Sequence, residues 1–341
     1  MKQKKVTFAD IAAYTGFSKT TISRYFNNPD SLTLENQEKI AHALDVLGYQ
    51  ENKLAKVLAN GKSEFVGIII PNLYLHYYSE MLNQLLSTYE KYNYKFLVFI
   101  GNNKKEIEEK YIHELMAYKI EGLIVLSNTI SSEELASYKL PVVTIERECD
   151  HVCSVSTDNY LGGVQATSLL IRNKCDVILH INSIFPDTLP TYGRIRGFED
   201  ICNEHHVVHE LIQRNLGNTY QETLTQLKNI FNEIEEKYPS QKKGVFLSND
   251  TYASMFLNLI FQKYGKLPKD YQIVGFDDSP IASEAILPIT TVGQQIEKIA
   301  QTAMELLVLQ MNEMKKRKPT PLKEPVHKQI TPVLIRRDTT E

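Results

Sequence analysis

Short apolar runs alternate with amphipathic stretches along most of the chain, from Phe65 onward. The runs FVGIII, KFLVFI, EGLIVL, PVVTI, DVILHI, GVFLS and YQIVGF are apolar almost throughout, which predicts strands buried on both faces. Between them, stretches such as YYSEMLNQLLSTYEKY and ASMFLNLIFQKYG place apolar residues at helical spacing. Strands of this kind joined by helices predict an α/β fold with parallel sheets covered on both sides.

The first fifty residues follow an all-helical pattern instead. Thr7 is placed to cap a first helix, Asp10 to complete a capping box, and Gly16 to end the helix in the left-handed conformation. Ser18 then caps a second helix after a tight turn. Two short helices joined in this way predict a helix-turn-helix.

A third helix, TLENQEKIAHALDVLG, is predicted from its cap Thr33 to its terminator Gly48. The apolar positions of the three helices are Ile11, Phe17, Ile22, Tyr25, Ile40, Ala43, Leu44 and Leu47. Their spacing predicts one small shared core.

The outward face of the second helix carries Lys19, Thr20, Ser23 and Arg24. In a helix-turn-helix, the start of the second helix enters the major groove of DNA. Arginine and lysine can donate to guanine O6 and N7, and threonine can contact a thymine methyl group. The pattern therefore predicts a base-reading surface, although an ordinary helical hairpin with a solvated charged face is a second interpretation.

The distribution of charge favours the DNA-binding interpretation. The whole chain has a formal net charge of −3, which by itself argues against a nucleic-acid partner. Residues 1–62, however, hold 9 Lys and Arg against 6 Asp and Glu, whereas the remainder holds 29 against 35. The positive charge is thus concentrated at the end that carries the predicted helix-turn-helix.

The composition is that of a globular protein of two or three compact parts, since the 341 residues are 43% hydrophobic and 23% charged. No apolar stretch is long enough to span a bilayer, and MKQKKVTFAD lacks the apolar core of a secretory signal, so we expect a cytoplasmic protein without a membrane partner. The four cysteines, Cys149, Cys153, Cys175 and Cys202, show no metal-ligand spacing and are expected to be reduced thiols.

Catalytic signatures are absent from the sequence. There is no GxGxxG after the first strand, no GxxxxGK[ST], no GxSxG and no HExxH, so neither an enzyme nor a cofactor is predicted. The histidines at 205, 206 and 209 cluster between a helix and a strand, where a solvated surface is a better interpretation than a metal site.

Three segments carry a resemblance to a known family: TFADIAAYTGFSKTTISRYFNN, LGYQENKLAKVLANGKS and FVGIIIPN. In this order and spacing, the chain resembles the lactose-repressor/galactose-repressor family of bacterial transcription regulators. The resemblance implies a DNA-binding domain at residues 1–50, a hinge helix and linker at 51–62, and an effector-binding domain at 63–341. It further implies two lobes, one of about residues 63–160 and 293–322, the other of about 161–292 and 323–341.

The resemblance also implies which residues contact DNA. They are Thr7, Ser18, Lys19, Thr20, Ser23, Arg24 and Asn27 in the helix-turn-helix, and Ala55, Lys56 and Leu58 in a hinge helix over residues 52–60. Leu58 would be an apolar wedge that enters the minor groove and kinks the duplex. The family commonly has proline where this chain has Glu51, so folding of the hinge is expected to depend more on DNA.

For the effector, the resemblance implies contacts from Tyr77, Tyr78, Glu146, Arg194, Asn249, Asp277 and Gln294. Such residues suit a polyol, because charged and amide groups pair with vicinal hydroxyls while a tyrosine covers C–H surface. Structural alternatives remain. The tyrosines could be packing residues at a helix start, Arg194 could pair with Asp277 or Glu199, and Asn249 and Asp250 could be helix caps.

Together these observations predict a homodimeric repressor of a carbohydrate-use operon. It would bind a near-palindromic operator in double-stranded DNA and respond to a sugar or sugar phosphate held between the lobes. Control by a partner protein is one alternative, and a sugar-binding protein without a DNA role is another. The sequence leaves open which effector binds and whether it releases or promotes DNA binding.

Overall fold

The computed structural model describes residues 6–50, 63–147, 150–319 and 324–341. By its internal contacts the chain divides into two compact units, Met1–Lys62 and Ser63–Glu341. None of the helices in the described ranges has the length and apolar character needed to cross a bilayer. The predicted hinge helix and linker, residues 51–62, lie outside the described residues.

The first unit contains three helices, α1 (Phe8–Thr15), α2 (Lys19–Asn27) and α3 (Leu34–Val46), with a 3-10 turn at Pro29–Ser31. The N–H and the hydroxyl of Thr7 both donate to Asp10 Oδ2, at 2.8 and 2.6 Å. Gly16 ends α1 with a φ of 74°, and Ser18 Oγ accepts the Thr21 N–H at 3.1 Å. The predicted caps of both helices are therefore confirmed.

The core of the first unit is small and includes aromatic residues. Its fully buried members are Ile11, Ile22, Ile40 and Ala43, one or two from each helix. Phe26 stacks on Phe8 with ring centroids 5.2 Å apart, and Tyr49 lies against Phe26 at 5.8 Å. The predicted three-helix core is confirmed, with Phe8 and Tyr49 closing it from outside the predicted set.

The second unit is built on twelve strands within the described ranges. They are β1 (Phe65–Ile70), β2 (Lys95–Ile100), β3 (Gly122–Val125), β4 (Val142–Ile145), β5 (Cys153–Thr157), β6 (Val177–Ser183), β7 (Val208–Arg214), β8 (Lys243–Leu247), β9 (Tyr271–Asp277), β10 (Thr290–Gly293), β11 (His327–Ile330) and β12 (Val333–Ile335). One sheet has the order β11-β5-β4-β3-β1-β2 and the other β12-β10-β9-β8-β6-β7. Every pairing is parallel except that of β10 with β12.

Helices cover both faces of the two sheets. They are α4 (His76–Ser87), α5 (Tyr89–Tyr92), α6 (Lys105–Ala117), α7 (Ser132–Ser137), α8 (Asn159–Arg172), α9 (Gly193–Glu204), α10 (Tyr220–Lys237), α11 (Asp250–Tyr264), α12 (Pro280–Glu284) and α13 (Ile296–Met314), with a 3-10 turn at Pro190–Tyr192. Alternate residues of β1 show the covering: Ile68 and Ile70 lie in one apolar cluster with α13, and Ile69 lies in another with α6. The predicted α/β architecture with parallel sheets is confirmed.

Five of these strands, β5, β7, β10, β11 and β12, were not among the seven apolar runs. β7 and β11 contain several polar residues and have one buried position each, because β7 lies at one edge of its sheet and β11 at one edge of the other. An edge strand needs little apolar surface, so hydrophobic pattern alone does not reveal it.

The chain passes between the two sheets three times, after β5, after β10 and after β11. The sequence-based division placed residues 323–341 in the second lobe, but β11 pairs in parallel with β5 of the first sheet. Only β12, which begins at Val333, belongs to the second sheet. The segment HKQITPVLI contains two short strands whose pairing partners are distant in sequence, so no local pattern shows which sheet each joins.

Two glycines allow α8 and α9 to pack closely, which positions the start of α9. A Cβ atom at Gly163 would collide with the backbone carbonyl of Arg194, and one at Gly197 with the carbonyl of Tyr160. The helices therefore meet backbone against backbone. Arg194, in the first turn of α9, is held close to the start of α8.

Replacing Gly163 with alanine tests this packing. The added methyl group must push α9 away from α8, so Gly163→Ala should lower the free energy of unfolding by about 1–3 kcal/mol, as overpacked cores do. Urea unfolding followed by circular dichroism measures the loss. Ser168→Ala, on the same helix beside an open groove, is the control and should change stability by less than about 0.5 kcal/mol. Equal stability of both variants would show that an added methyl group fits between α8 and α9 without displacing them.

Candidate functional site

The outer face of α2 is available to a partner. Lys19, Thr20, Arg24 and Asn27 are exposed, and Ser23 is half-buried with its hydroxyl accepting from the Asn27 amide at 3.1 Å. Positions 19, 23 and 27, like 20 and 24, follow one another at four-residue spacing and so share a face. Within residues 6–50, neither Lys19 nor Arg24 forms an ion pair, so both cations can meet phosphates or bases.

Two predicted DNA contacts have structural roles in addition. Thr7 and Ser18 are exposed, yet their side chains take part in the capping bonds of α1 and α2. The hinge contacts predicted at Ala55, Lys56 and Leu58 lie outside the described residues. All ten residues remain predicted DNA contacts, and the structure brings those of the helix-turn-helix to the start and outer face of α2 and to the start of α1.

A cavity of about 190 Å³ lies at the carboxyl ends of the strands of both sheets. Its lining includes all seven predicted effector contacts: Tyr77, Tyr78, Glu146, Arg194, Asn249, Asp277 and Gln294. Glu146 follows β4, Asn249 follows β8, Asp277 ends β9, and Gln294 follows β10. The ends of parallel strands are where α/β proteins bind ligands, and here two sheets contribute to one cavity.

Arg194 is buried and held on several sides. Its Nε donates to Asn159 Oδ1 at 2.7 Å, and its Nη1 donates to the carbonyl of Ser248 and lies 4.0 Å from Asp277 Oδ1. The guanidinium also lies 3.6 Å from the ring centroid of Phe276. A buried charge is tolerated only when it is paired and hydrogen-bonded, and these contacts meet that requirement.

Asn159 and Thr157 extend the bonding of Arg194 to the first sheet. Asn159 Nδ2 donates to Glu146 Oε2 at 2.8 Å, and the backbone N–H of Thr157 donates to the other oxygen of the same carboxylate. Thr157 ends β5, and Asn159 begins α8, so these residues flank the first passage between the sheets.

Gln294 links Thr157 to Asp277. Thr157 Oγ1 donates to Gln294 Oε1 at 2.7 Å, and Gln294 Nε2 donates to Asp277 Oδ1. Asp277 is the ion-pair partner of Arg194, so the contacts form a closed cycle. We call this the polar cycle; its members, all buried, are Glu146, Thr157, Asn159, Arg194, Asp277 and Gln294.

Asp277 and Glu146 both have backbone conformations that non-glycine residues rarely adopt, with φ of 115° and 54°. Such strain persists where surrounding contacts over-determine the residue, which is common at binding sites. Burial raises the pKa of the Asp277 carboxyl well above its ordinary value, and the Arg194 guanidinium opposes that rise. Each carboxylate is therefore held in place for its contacts at some cost in stability.

Tyr77 has a buried hydroxyl that lacks a hydrogen-bond partner among the described residues. Its side chain is 8% exposed, lines the cavity and lies edge-on against Tyr78 with ring centroids 5.3 Å apart. Burial raises the pKa of Tyr77, and the carboxylates of Glu146 and Asp277 raise it further. The phenol therefore stays protonated, and its hydrogen-bond donor is unused among the described residues.

Three polar residues after β8 and β9 have mainly structural contacts. Asn249 Oδ1 accepts the Tyr252 N–H at 2.8 Å, so Asn249 caps α11 as well as lining the cavity. Asp250 is fully buried, accepts from Thr291 Oγ1 at 2.6 Å and does not line the cavity. Asp278 pairs with Arg337 at 2.6 Å. The capping alternative is therefore confirmed for Asn249 without removing it from the cavity.

Several cavity or cycle residues were not predicted. They are Thr157 and Asn159 in the cycle, and Asn128, Asn182, Ser248 and Tyr252 in the lining. Each lies within about a turn of a strand's carboxyl end, which is the one signal that a sequence offers for such residues. Asn159, in STDNY, is indistinguishable from an ordinary helix start before its partner Arg194 is known.

Other candidate sites are poorer in chemistry. An open groove of about 430 Å³, lined by residues of α8, His205 and Leu334, has no converging charged groups apart from Arg172. Within the described ranges, no group of three or more His, Cys, Asp and Glu side chains is arranged to hold a metal ion. The histidines at 205, 206 and 209 therefore do not form such a group.

Two family descriptions match this chain. "Bacterial regulatory proteins, lacI family" matches residues 7–52, and "Periplasmic binding protein-like domain" matches residues 168–340. The first match spans α1, α2 and α3, and the second spans all six strands of the second sheet together with α13 and β11.

Curated relatives share about a quarter of their residues with this chain. The sucrose operon repressor of Streptococcus mutans serotype c is 27% identical over 303 residues, covering 88% of this chain and 91% of that protein. The ribose operon repressor of Bacillus subtilis is 26% identical over 305 residues, covering 89% of this chain and 90% of that protein.

Two solved structures have the same fold. The lac repressor dimer bound to operator and the anti-inducer ONPF has a TM-score of 0.81 at 20% identity and covers 99% of each chain. A periplasmic binding protein/LacI transcriptional regulator from Alkaliphilus metalliredigens, complexed with D-xylulofuranose, has a TM-score of 0.68 at 26% identity. It covers 82% of this chain and 100% of that one.

The polar cycle predicts that Asn159→Ala is strongly destabilising. The change leaves Arg194 Nε and Glu146 Oε2 buried without their partner, which should lower the free energy of unfolding by about 1–3 kcal/mol. Thermal and urea unfolding measure it, with Asn312→Ala on the exposed side of α13 as control, expected within about 0.5 kcal/mol of the unchanged protein. If both variants unfold alike, the cycle contributes nothing to stability.

Proposed function

The chain belongs to the lacI family of bacterial regulatory proteins, and from this premise we propose that it represses a carbohydrate-use operon until a small sugar occupies the cavity. It is a DNA-binding transcriptional regulator, since the family's DNA-binding region coincides with α1, α2 and α3. The proposal that a small sugar controls the protein is supported by the cavity itself, which is lined by Tyr77 and by members of the polar cycle from both sheets.

The exposed face of α2 is the proposed base-reading surface. We propose that Arg24 and Lys19 contact guanine edges, and that Thr20 contacts a thymine methyl group or forms a hydrogen bond. One helix-turn-helix reads too few bases for a unique genomic site, so the active form is proposed to be a homodimer on a near-palindromic operator. We place the protein in the cytoplasm, where operator DNA is found, and assign it no catalytic activity.

The cavity is the proposed effector site. Carboxylates, amides and a guanidinium surround it, and the rings of Tyr77, Tyr78 and Tyr252 provide apolar faces, a combination suited to a sugar. A concave cavity that contains an unpartnered hydroxyl suits a small molecule better than a protein surface. This supports a small ligand over control by a partner protein alone.

Effector control requires that the sugar bind two conformations of the protein with different affinities. Three passages join the two sheets, and members of the polar cycle stand beside two of them. A sugar that bonds to the cycle would therefore favour one arrangement of the lobes. We propose that this arrangement binds the operator less tightly.

Arg24→Ala tests the base-reading surface. The variant should lose about 1–3 kcal/mol of preference for one base at one position of each half-site, because a bidentate contact is removed. Selection from a random DNA library, followed by competition between single-base variants, measures the preference.

Lys39→Ala is the matched control for Arg24→Ala. Lys39 is an exposed cation on α3, paired with Glu35 at 2.8 Å, and its loss should leave the base preference as it was. An unaltered preference in Arg24→Ala would make Arg24 a phosphate contact or a surface charge.

Arg194→Ala tests the effector site. The variant should still bind the selected operator but should no longer release it when sugar is added, because Arg194 links the cavity lining to the cycle. Fluorescence anisotropy of labelled operator, with and without sugar, measures both properties.

Arg196→Ala controls for loss of charge on the same helix. Arg196 is exposed and donates to the carbonyl of Asp187 at 3.3 Å, so its variant should respond to sugar normally. Circular dichroism confirms that both variants are folded. Sugar-dependent release by the Arg194 variant would remove Arg194 from the effector site.

A further inference from the structure

We infer that the effector is an uncharged, single-ring sugar, and that the cavity rejects phosphorylated sugars and sugar acids. The inference rests on the proposed function, which makes this cavity the sugar site, and it specifies the charge and size of the ligand. Four features carry it: the charges of the lining, the contacts of Arg194, the amides at two helix starts and the volume.

The lining has no surplus of positive charge while at least one of its two acids is ionised. Among the described residues around the cavity, Arg194 is the one cation, and Glu146 and Asp277 are both carboxylic acids. With both acids ionised the lining carries a net charge of −1, and with one protonated it is neutral. A phosphate or carboxylate entering this cavity would lose its hydration without gaining a surplus of positive charge.

The protein already uses two of the five N–H donors of Arg194, one on Nε and one on Nη1. Bidentate recognition uses either Nη1 with Nη2 or Nε with Nη2. Nη1 already donates to the Ser248 carbonyl, and Nε already donates to Asn159 at 2.7 Å. Each possible fork therefore includes a nitrogen that is bonded to the protein.

Helix starts are the other common source of anion-binding donors, and α4 and α11 both begin beside the cavity. Their amides are partly occupied: the His76 N–H donates to Thr251 Oγ1 at 3.0 Å, and the Tyr252 N–H donates to Asn249 Oδ1 at 2.8 Å. The buried Asp250 in the first turn of α11 further disfavours an anion there.

The polar groups of the cavity instead match hydroxyls. The carboxylates of Glu146 and Asp277 can accept further hydrogen bonds beyond those of the polar cycle, whereas the unpartnered phenol of Tyr77 can donate or accept. A sugar hydroxyl does both, but a phosphate dianion only accepts. Pairing the buried Tyr77 hydroxyl also removes the cost of leaving it unsatisfied.

The volume favours one ring over two. At about 190 Å³, the cavity is smaller than the roughly 300 Å³ at the lower end of pockets for drug-sized ligands. Leu75, Phe185 and Leu189 narrow it with apolar side chains. A monosaccharide is the class that combines this size with many hydroxyls.

The test compares neutral sugars with their charged derivatives on the full-length protein. Thermal-shift screening followed by calorimetry uses D-ribose, D-xylose, D-fructose and D-glucose, the 5-phosphate of ribose, the 6-phosphates of fructose and glucose, gluconate and sucrose. We expect at least one neutral monosaccharide to bind, and its phosphate or acid to bind roughly 100-fold more weakly, since an unpaired buried charge is strongly unfavourable.

The other outcomes overturn different statements. A phosphate or acid that binds as tightly as any neutral sugar refutes the charge inference and leaves the proposed sugar-controlled repressor standing. Sucrose binding as tightly as a monosaccharide refutes the single ring. A protein that binds operator but none of these compounds loses both the inference and the sugar half of the proposed function.

Two variants keep the inference testable within one protein. Tyr77→Phe should weaken the neutral sugar about tenfold without lowering the melting temperature of the unliganded protein, because the hydroxyl it removes has no partner there. Tyr94→Phe, a buried tyrosine of the first lobe whose hydroxyl accepts from Lys315, is the control and should bind sugar normally. Equal affinities for the two variants would refute the Tyr77 contact.

Asn128→Lys should reduce the discrimination. Asn128 lines the cavity from an exposed position, so a lysine there adds a cation without burying it. The ratio of sugar-phosphate to sugar dissociation constants should fall about tenfold or more. An unchanged ratio would show that the cavity does not select its ligand by charge.

Discussion

The buried positive charge of Arg194 is the constraint on which the second unit depends. A guanidinium in the interior requires partners on several sides. Here they are Asn159 at the start of α8 and, in or just after β8 and β9, the Ser248 carbonyl, Asp277 and the ring of Phe276. The backbone contact of α8 with α9, which needs glycine at 163 and 197, brings the arginine to those partners. The strained backbone of Asp277 is explained by the same requirement, because its carboxylate must meet both Arg194 and Gln294.

Much of this arrangement could be predicted from the sequence, for a definite reason. Apolar strands such as FVGIII and YQIVGF identify parallel sheets, and the carboxyl ends of parallel strands converge, so Glu146, Asn249 and Asp277 could be expected near one another. Their assignment as effector contacts, like that of Tyr77, Tyr78, Arg194 and Gln294, followed from family resemblance rather than from pattern. In the first unit, the caps at Thr7 and Ser18 and the core around Ile22 were evident because they depend on contacts a few residues apart.

What the sequence did not reveal depends on partners distant along the chain. β11 and β12 are separated by two residues and join different sheets, because β11 pairs with β5 and β12 pairs with β10, and both partners lie 40 or more residues away in sequence. Asn159 is similarly an ordinary helix start until Arg194, 35 residues later, is placed against it. A polar residue acquires such a role only through tertiary contacts, so the role cannot be predicted from local sequence propensity.

The residues that would read the ligand are also residues that join the lobes. Thr157, Asn159 and Gln294 stand at or within two residues of the points where the chain leaves one sheet for the other, and all three are bonded into the polar cycle. A substitution at one of these three residues that changes which ligand fits therefore also changes the arrangement of the chain segments that join the two sheets. Evolution of a new specificity in this protein is constrained to proceed through peripheral lining residues such as Asn128, or through paired changes in which one mutation restores the arrangement that another disturbs.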